Sequence, residues 1–300
     1  MIVILNHGAG AAADGKDSSR EKISSLYAAA GINVEIVEPR GDSDVSALAS
    51  DAAKSSEETI VAAGGDGTIS SVAAHLADTG KRLGVLPTGT LNHFAKDSKI
   101  PLDLEGAVRT TLKGRVAAVD VAEVNGRVFI NNSSLGIYPH IVAEREAQQE
   151  QLARGKWPAF LWASMHALRR FPFMELRIST EEQQLARKTA FLFVGNNEYE
   201  IAGFNLGARS CIDAGNLGLY LTQRTGRLGL FRLAIHALFG RVNQAKDFEA
   251  FCVQEAHIES RRSRLLVARD GEVEWMETPL HYRTRRHALR VLVPQDGAIG

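Results

Sequence analysis

The 300-residue chain has almost no cysteine: Cys211 and Cys252 are its only two, which excludes a disulfide framework and suits a reducing compartment. It has no net charge, because 35 basic side chains balance 35 acidic ones. No global field therefore draws it to nucleic acid or an anionic bilayer, and any attraction to a membrane has to come from local patches. No apolar run approaches the roughly 18 residues that a spanning helix needs. The opening MIVILNHGAG lacks the basic segment and long apolar stretch of a signal peptide. A cytoplasmic location is expected, with membrane contact only from the side and no nucleic-acid partner. None of the nine histidines falls in a zinc pattern, no metal ligands are assigned, and no G-x-S-x-G nucleophile elbow occurs. Repeats and low-complexity tracts are missing too. With 45% hydrophobic and 23% charged residues, what is left is a folded globular protein with room for two ordinary domains.

The first third alternates strand and helix signals. Ile2–Leu5, Ile32–Val37, Thr59–Ala63 and Leu83–Leu86 read as strands. Helices are expected around Ser18–Ala30, ending at the C-capping Gly31, and over Val45–Ala53. After Gly64-Gly65-Asp66-Gly67-Thr68, the residues Ile69, Val72, Ala73 and Leu76 share one helical face. This β–α rhythm predicts a doubly wound, mostly parallel sheet, whose ligands bind beyond the carboxyl ends of the strands. From about residue 115 the rhythm changes. Val116–Val124 and Arg127–Asn131 flank Asn125-Gly126, a two-residue hairpin signal. Further strands are expected at Met174–Ser179, Thr189–Val194, Leu217–Leu221, Leu265–Ala268 and Ala288–Val293, with helices near Trp157–Phe171 and Arg227–Phe239. The fold class is thus α/β with a C-terminal β-sandwich. Residues 1–120 are expected to form the α/β domain and residues 121–300 a β-rich one, whose last strand or tail is free to return to the first.

Gly64-Gly65-Asp66-Gly67-Thr68 is the most informative stretch. Three glycines let the backbone turn tightly and bring N–H groups against phosphate oxygens, and the following helix adds the positive end of its dipole. An Asp in such a loop favours phosphoryl transfer over phosphate storage, because it needs a metal ion or a proton-donating hydroxyl beside it. A second loop, Gly84-Val85-Leu86-Pro87-Thr88-Gly89-Thr90-Leu91-Asn92-His93-Phe94-Ala95, again lies between strand and helix. Together the two resemble the GGDGT and P-x-GTxNDFA loops of the diacylglycerol kinase/sphingosine kinase family of lipid kinases. Asn6-His7-Gly8-Ala9-Gly10 looks like that family's opening N-P-x-x-G loop, and Asp120 occupies its post-linker Asp position. Phe129-Ile130-Asn131-Asn132-Ser133-Ser134-Leu135-Gly136 resembles F-x-N-x-x-x-G, and Asp270-Gly271-Glu272 resembles DGE.

The resemblance implies an ATP- and Mg²⁺-dependent lipid kinase, with ATP on residues 1–120 and its partner, the lipid, on residues 121–300. Asn6, Gly64, Gly65, Asp66, Gly67, Thr68, Gly89 and Thr90 would line the ATP phosphates, with Asn92 and Asp270 nearby. Glu272 would accept the proton of the lipid hydroxyl, Asp66 is its rival for that task, and Asp120 would belong to the same acidic network. An alcohol is a poor nucleophile at neutral pH, so a carboxylate must take its proton, while Mg²⁺ and backbone donors neutralise phosphoryl charge. Three positions depart from the family: His93 replaces the NDFA Asp, Ser71 stands where Glu often follows GGDGT, and Ala214 replaces the second Asp of a DDG segment that holds a structural Mg²⁺ in some members. That structural metal is not expected here. For His93, packing or hydrogen bonding is expected rather than catalysis. Two alternatives stay open: a soluble kinase of the NAD kinase type, and a weakened lipid- or nucleotide-binding regulator.

Gly10 to Lys16 nearly spells a Walker A loop, but Asp17 follows where a Mg²⁺-binding Ser or Thr is needed, and it would repel phosphate. Trp157, Phe160, Leu161, Ser164, Met165 and Leu168 fall at helical spacing beside Arg154, Lys156, Arg169 and Arg170. They read as a core-packing helix with basic ends or as a helix lying on an anionic membrane.

Overall fold

A computed structural model describes residues 1–7, 13–40, 42–136, 139, 173–202, 205–209, 211–222 and 248–295. Gly8 and Gly10 of the opening Asn6–Gly10 stretch and the two helices expected near Trp157–Phe171 and Arg227–Phe239 lie outside the described residues. The first part contains β1 (Ile2–Leu5), α1 (Ala13–Ala29), β2 (Glu35–Val37), α2 (Asp42–Lys54), β3 (Thr59–Gly64), α3 (Asp66–Leu76), β4 (Arg82–Pro87), α4 (His93–Asp97) and α5 (Leu104–Lys113). Then come β5 (Arg115–Val124), β6 (Arg127–Phe129), β7 (Asn132–Gly136), β8 (Met174–Thr180), β9 (Gln184–Thr189), β10 (Phe191–Asn196), β11 (Tyr199–Ala202) and β12 (Asn205–Arg209). The chain closes with β13 (Leu217–Thr222), β14 (Phe248–Val253), β15 (Glu255–Ser260), β16 (Arg264–Arg269), β17 (Glu272–Glu277) and β18 (Leu280–Val293).

Strands β2-β1-β3-β4 are parallel neighbours, and every residue of β1 and β3 is buried, as expected of strands covered on both faces. Gly15 and Lys16 lie in the first turn of α1, and residues 10–12 of the Walker-like spacing lie outside the described residues. Helix α3 buries Thr68, Ile69, Val72, Ala73 and Leu76 against this sheet, the face that the spacing predicts. It starts at Asp66, earlier than expected, which makes Asp66-Gly67-Thr68 its first turn. At α5 the Asp103 side chain accepts from the Gly106 N–H at 2.7 Å, a cap of about 1 kcal/mol.

The second half is a β-sandwich. One layer is β14-β13-β10-β7-β16-β17; the facing layer is the antiparallel part of the larger sheet, β18-β15-β8-β9 with β5 and β6. Leu135, Leu192, Leu219 and Val267 from one layer meet Phe129, Leu176, Ile258 and Tyr282 from the other in a common core. The two halves share β18. Its Leu280–Arg283 segment pairs with β15, Arg290 and Val291 pair in parallel with Arg82 and Leu83 of β4, and β5 runs antiparallel along most of its length. Register shifts between Arg285 and Leu289, where His287 adopts φ +55°. Asn125 and Gly126 both have positive φ, 48° and 77°, which suits the expected hairpin. No helix among the described residues is long and apolar enough to cross a membrane.

Candidate active site

The site grows from the carboxyl ends of β1, β3 and β4. Asn6, just past β1, donates its backbone N–H to Ala63 O at 2.8 Å and its side-chain amide to Thr68 Oγ1 at 2.9 Å, which ties the first turn of α3 to β1. Thr68 is buried, and a Cβ on Gly64 would lie 2.6 Å from its Oγ1, so only glycine lets the strand end this close to the helix. The two glycine loops touch. A Cβ on Gly89 would sit 2.5 Å from Gly65 Cα, and Thr88 donates its N–H to Gly64 O at 3.0 Å. Buried Asn92, at φ +52°, folds the second loop on itself: its Oδ1 accepts from Gly89 N–H at 3.1 Å and its Nδ2 donates to Gly89 O at 2.9 Å. Thr90 lies exposed at the rim of this loop.

Gly65, the residue before α3, gives that helix no side-chain cap. Leading N–H groups of the helix therefore face the loop opening without an internal partner, and Gly67 is exposed beside them. Such a terminus, with its glycines and no capping hydroxyl, fits an anionic phosphate chain. Asp66 is half-buried, and its Oδ1 accepts one long hydrogen bond, 3.4 Å from Phe94 N–H at the start of α4.

The distant acidic tripeptide reaches this loop through Asp270. Its carboxylate accepts the N–H groups of Ile130, Asn131 and Asn132 at 2.8, 2.9 and 3.0 Å and the Ser70 hydroxyl from α3. Asp270 thus fastens the β6–β7 and β16–β17 turns to the helix behind the first glycine loop. Glu272 opens β17 with its side chain 67% exposed and lies 3.7 Å from the Arg269 guanidinium. Asp120 does something else. It is buried, and its two oxygens accept backbone N–H groups from Gly215 at 2.5 Å and His287 at 2.8 Å. Its contacts hold the segment before β13 and the bulge of β18; they include none of the other acids assigned to a shared network. His93 is exposed as the first residue of α4, so the packing role expected for it gives way to a place at the surface.

A buried group that the sequence reading did not name sits behind the second loop. The Arg209 guanidinium, in β12, pairs with Asp97 of α4 at 2.8 Å and donates to Ile130 O at 2.6 Å and Asn131 Oδ1 at 3.2 Å. Burial opposes its charge, but the Tyr199 hydroxyl and Asp97 outweigh that and hold its pKa above the ordinary value. Tyr199 packs under it and donates to Asn131 O at 3.0 Å, with its own pKa pushed up to about 12 by burial. Asn196 closes the group, donating to Asp120 O and Ile130 O, both at 2.9 Å. Asn131 stands inside a stretch that the family resemblance covers; Arg209 and Asp97 have no local pattern that marks them.

Two family models cover most of this architecture. The diacylglycerol kinase catalytic domain matches residues 1–124, and the YegS C-terminal NAD kinase beta sandwich-like domain matches residues 138–293, more than half of the chain. The chain belongs to the family defined by that C-terminal domain, with a diacylglycerol-kinase-type catalytic domain in front of it. Among curated proteins, a "Probable lipid kinase YegS-like" of Pectobacterium atrosepticum is 33% identical over 176 residues, 56% of this chain and 57% of that protein. One of the same name from Yersinia pestis is 42% identical over 106 residues, 34% of this chain and 36% of that protein. The matches therefore span about half, or less, of the relatives' own lengths. Two crystal structures from Bacillus anthracis str. Sterne superpose with TM-scores of 0.75 and 0.69 at 23% and 20% identity, each covering 97% of this chain and 96% of the other. The second is described as a diacylglycerol kinase; at such identity the likeness speaks for the fold alone.

Proposed function

We propose that the chain is an ATP-dependent lipid kinase that transfers the γ-phosphoryl group of ATP to a hydroxyl of a diacylglycerol-like or other long-chain lipid. One observation carries the reading: two glycine turns pack within van der Waals contact in front of an uncapped helix N-terminus, while Asp270 ties the DGE turn to that same helix. In this reading Gly64, Gly65, Gly67 and Gly89 give the phosphates access to backbone N–H groups, and Asn6 and Thr68 keep α3 in place. Asn92 fixes the second loop, and Thr90 closes its rim.

Asp66 has an oxygen to spare and would hold the Mg²⁺, whose charge helps neutralise the phosphoryl group. Glu272 would take the proton of the lipid hydroxyl; its exposure leaves it open to an acceptor arriving from a membrane surface, and Arg269 steers it. Asp66 is the competing base. Asp120 supports the site from behind through backbone contacts.

The test is a panel of long-chain lipids in mixed micelles with labelled ATP and Mg²⁺, followed by identification of the labelled product. Asp66→Asn and Glu272→Gln should each lower lipid labelling by about 10²–10⁴-fold, the range for a lost acid–base or charge-stabilising group, with folding intact. Labelling of NAD⁺ with no lipid product would replace this reading by a soluble dinucleotide kinase. Nucleotide binding without transfer to any acceptor would leave a regulator.

A further inference from the structure

On the outer face of the sandwich, three side chains converge. His257 of β15 and His281 of β18 are directly opposite each other across the antiparallel pair, and their rings stack 4.3 Å apart with planes 6° from parallel. Both Nε2 atoms point at one oxygen of Glu255, at 3.2 Å for His257 and 2.5 Å for His281. Glu255 and His257 are two apart on one strand and so share a face. The His281 backbone is fixed as well, since its N–H donates to Asn125 Oδ1 at 2.8 Å and its carbonyl accepts from Asn125 N–H at 3.0 Å. Arg283 stands across from Glu255 in the register and would be its natural ion-pair partner. Instead Arg283 is drawn to Glu123 at 2.5 Å, which leaves the Glu255 carboxylate to the two imidazoles.

We propose that Glu255, His257 and His281 form a binding site for a borderline divalent transition metal such as Zn²⁺, Co²⁺ or Ni²⁺, clipping β15 to β18. The donor set decides the class: two imidazoles and one carboxylate suit these ions, whereas Mg²⁺ and Ca²⁺ require an oxygen shell. All three ligand atoms lie within 4.8 Å of one another. A tetrahedral zinc with bonds of about 2.0–2.1 Å needs its ligands about 3.3–3.5 Å apart, so the donor atoms must draw together and one imidazole must turn out of the parallel stack until both in-plane lone pairs meet the ion. Three protein ligands leave a fourth position for water or an outside donor. The ion couples to the strand that the two halves of the molecule share, so it stabilises the folded chain without touching ATP.

The experiment uses the full chain with any affinity tag removed. Calorimetric titration with Zn²⁺ and the visible spectrum of the Co²⁺-loaded protein should show one ion per chain in a tetrahedral N/O field. His257→Gln, His281→Gln and Glu255→Gln should each weaken binding about tenfold or more, since even outer-shell losses cost 10–100-fold. His75→Gln, a histidine elsewhere in the fold, should leave it unchanged. The melting temperature of the native chain should rise with Zn²⁺, and that rise should disappear in the three variants. In the unmutated protein, Co²⁺ should broaden the NMR signals of two imidazoles, assigned to His257 and His281. No binding at micromolar Zn²⁺, unchanged affinity in the histidine variants, or broadening of other histidines would overturn the proposal.

Discussion

Replacing Arg209 with methionine removes every donor from the buried group behind the second glycine loop while keeping much of the side-chain volume. The native guanidinium is fully buried and meets Asp97, Ile130 O, Asn131 Oδ1 and, at 3.3 Å, Asn196 O. The Asp97 side chain is 10% exposed, so water can replace only a little of what it loses. Removing one partner of a buried ion pair costs about 3–5 kcal/mol, because the other charge is stranded. Taking about 3 kcal/mol and a urea slope of about 3 kcal/mol per M, the unfolding midpoint should fall by about 1 M. Asp97→Asn alone should also destabilise, but the double variant should recover about 1–2 kcal/mol relative to the sum of the singles, because no charge is left unpaired. Since α4 carries Asp97 and follows Asn92 directly, the loosened helix should also, in the proposed reaction, raise the KM for ATP more than it lowers kcat. A midpoint shift below about 0.3 M, or a strictly additive cycle, would refute the reasoning.

Asp270→Asn replaces a carboxylate that accepts three backbone N–H groups with an amide that turns one donor toward them. It should cost about 1.5–3 kcal/mol in chemical denaturation and depress activity as well, whereas Glu272→Gln, on an exposed side chain, should affect activity alone. Gly89→Ala should push the two loops apart, because its Cβ has only 2.5 Å to Gly65 Cα; nucleotide affinity measured by fluorescence should drop at least tenfold while thermal stability falls only modestly. Glu249 has its pKa lowered by the Arg187 hydrogen bond, so the pair contributes stability above the unfolded carboxylate pKa and loses it as pH falls through the folded one. The stability difference between the native chain and Glu249→Gln, followed by urea titration, should therefore narrow as pH drops below about 4.

The parallel sheet was legible because its strands are continuous apolar runs ending in glycine or polar turns, and α3 because Ile69, Val72, Ala73 and Leu76 repeat at helical spacing. Strands β9, β15 and β17 escaped because polar or charged residues fill half or more of their positions, as in Gln-Leu-Ala-Arg-Lys-Thr and Glu-Val-Glu-Trp-Met-Glu, so they lack the apolar density of a buried run. The same reason hid the first half of β18, whose Arg283, Arg285 and Arg286 look like a solvated turn until Glu123 and Asp78 are seen to pair with two of them. At the candidate site, local motifs marked the two loops and the DGE turn, segments that the fold brings together. Sequence could not say that Asp120 serves backbone N–H groups, or that Arg209 and Asp97 meet, since both depend on contacts between segments far apart in the chain.

The path of β18 makes the two halves inseparable. A fragment ending after residue 124 would keep β4 and β5 but lose the strand that lies between them, leaving two bare edges with unsatisfied amides and a strip of Val, Leu and Ala facing water. The first half can therefore finish folding only once the chain has been made through β18.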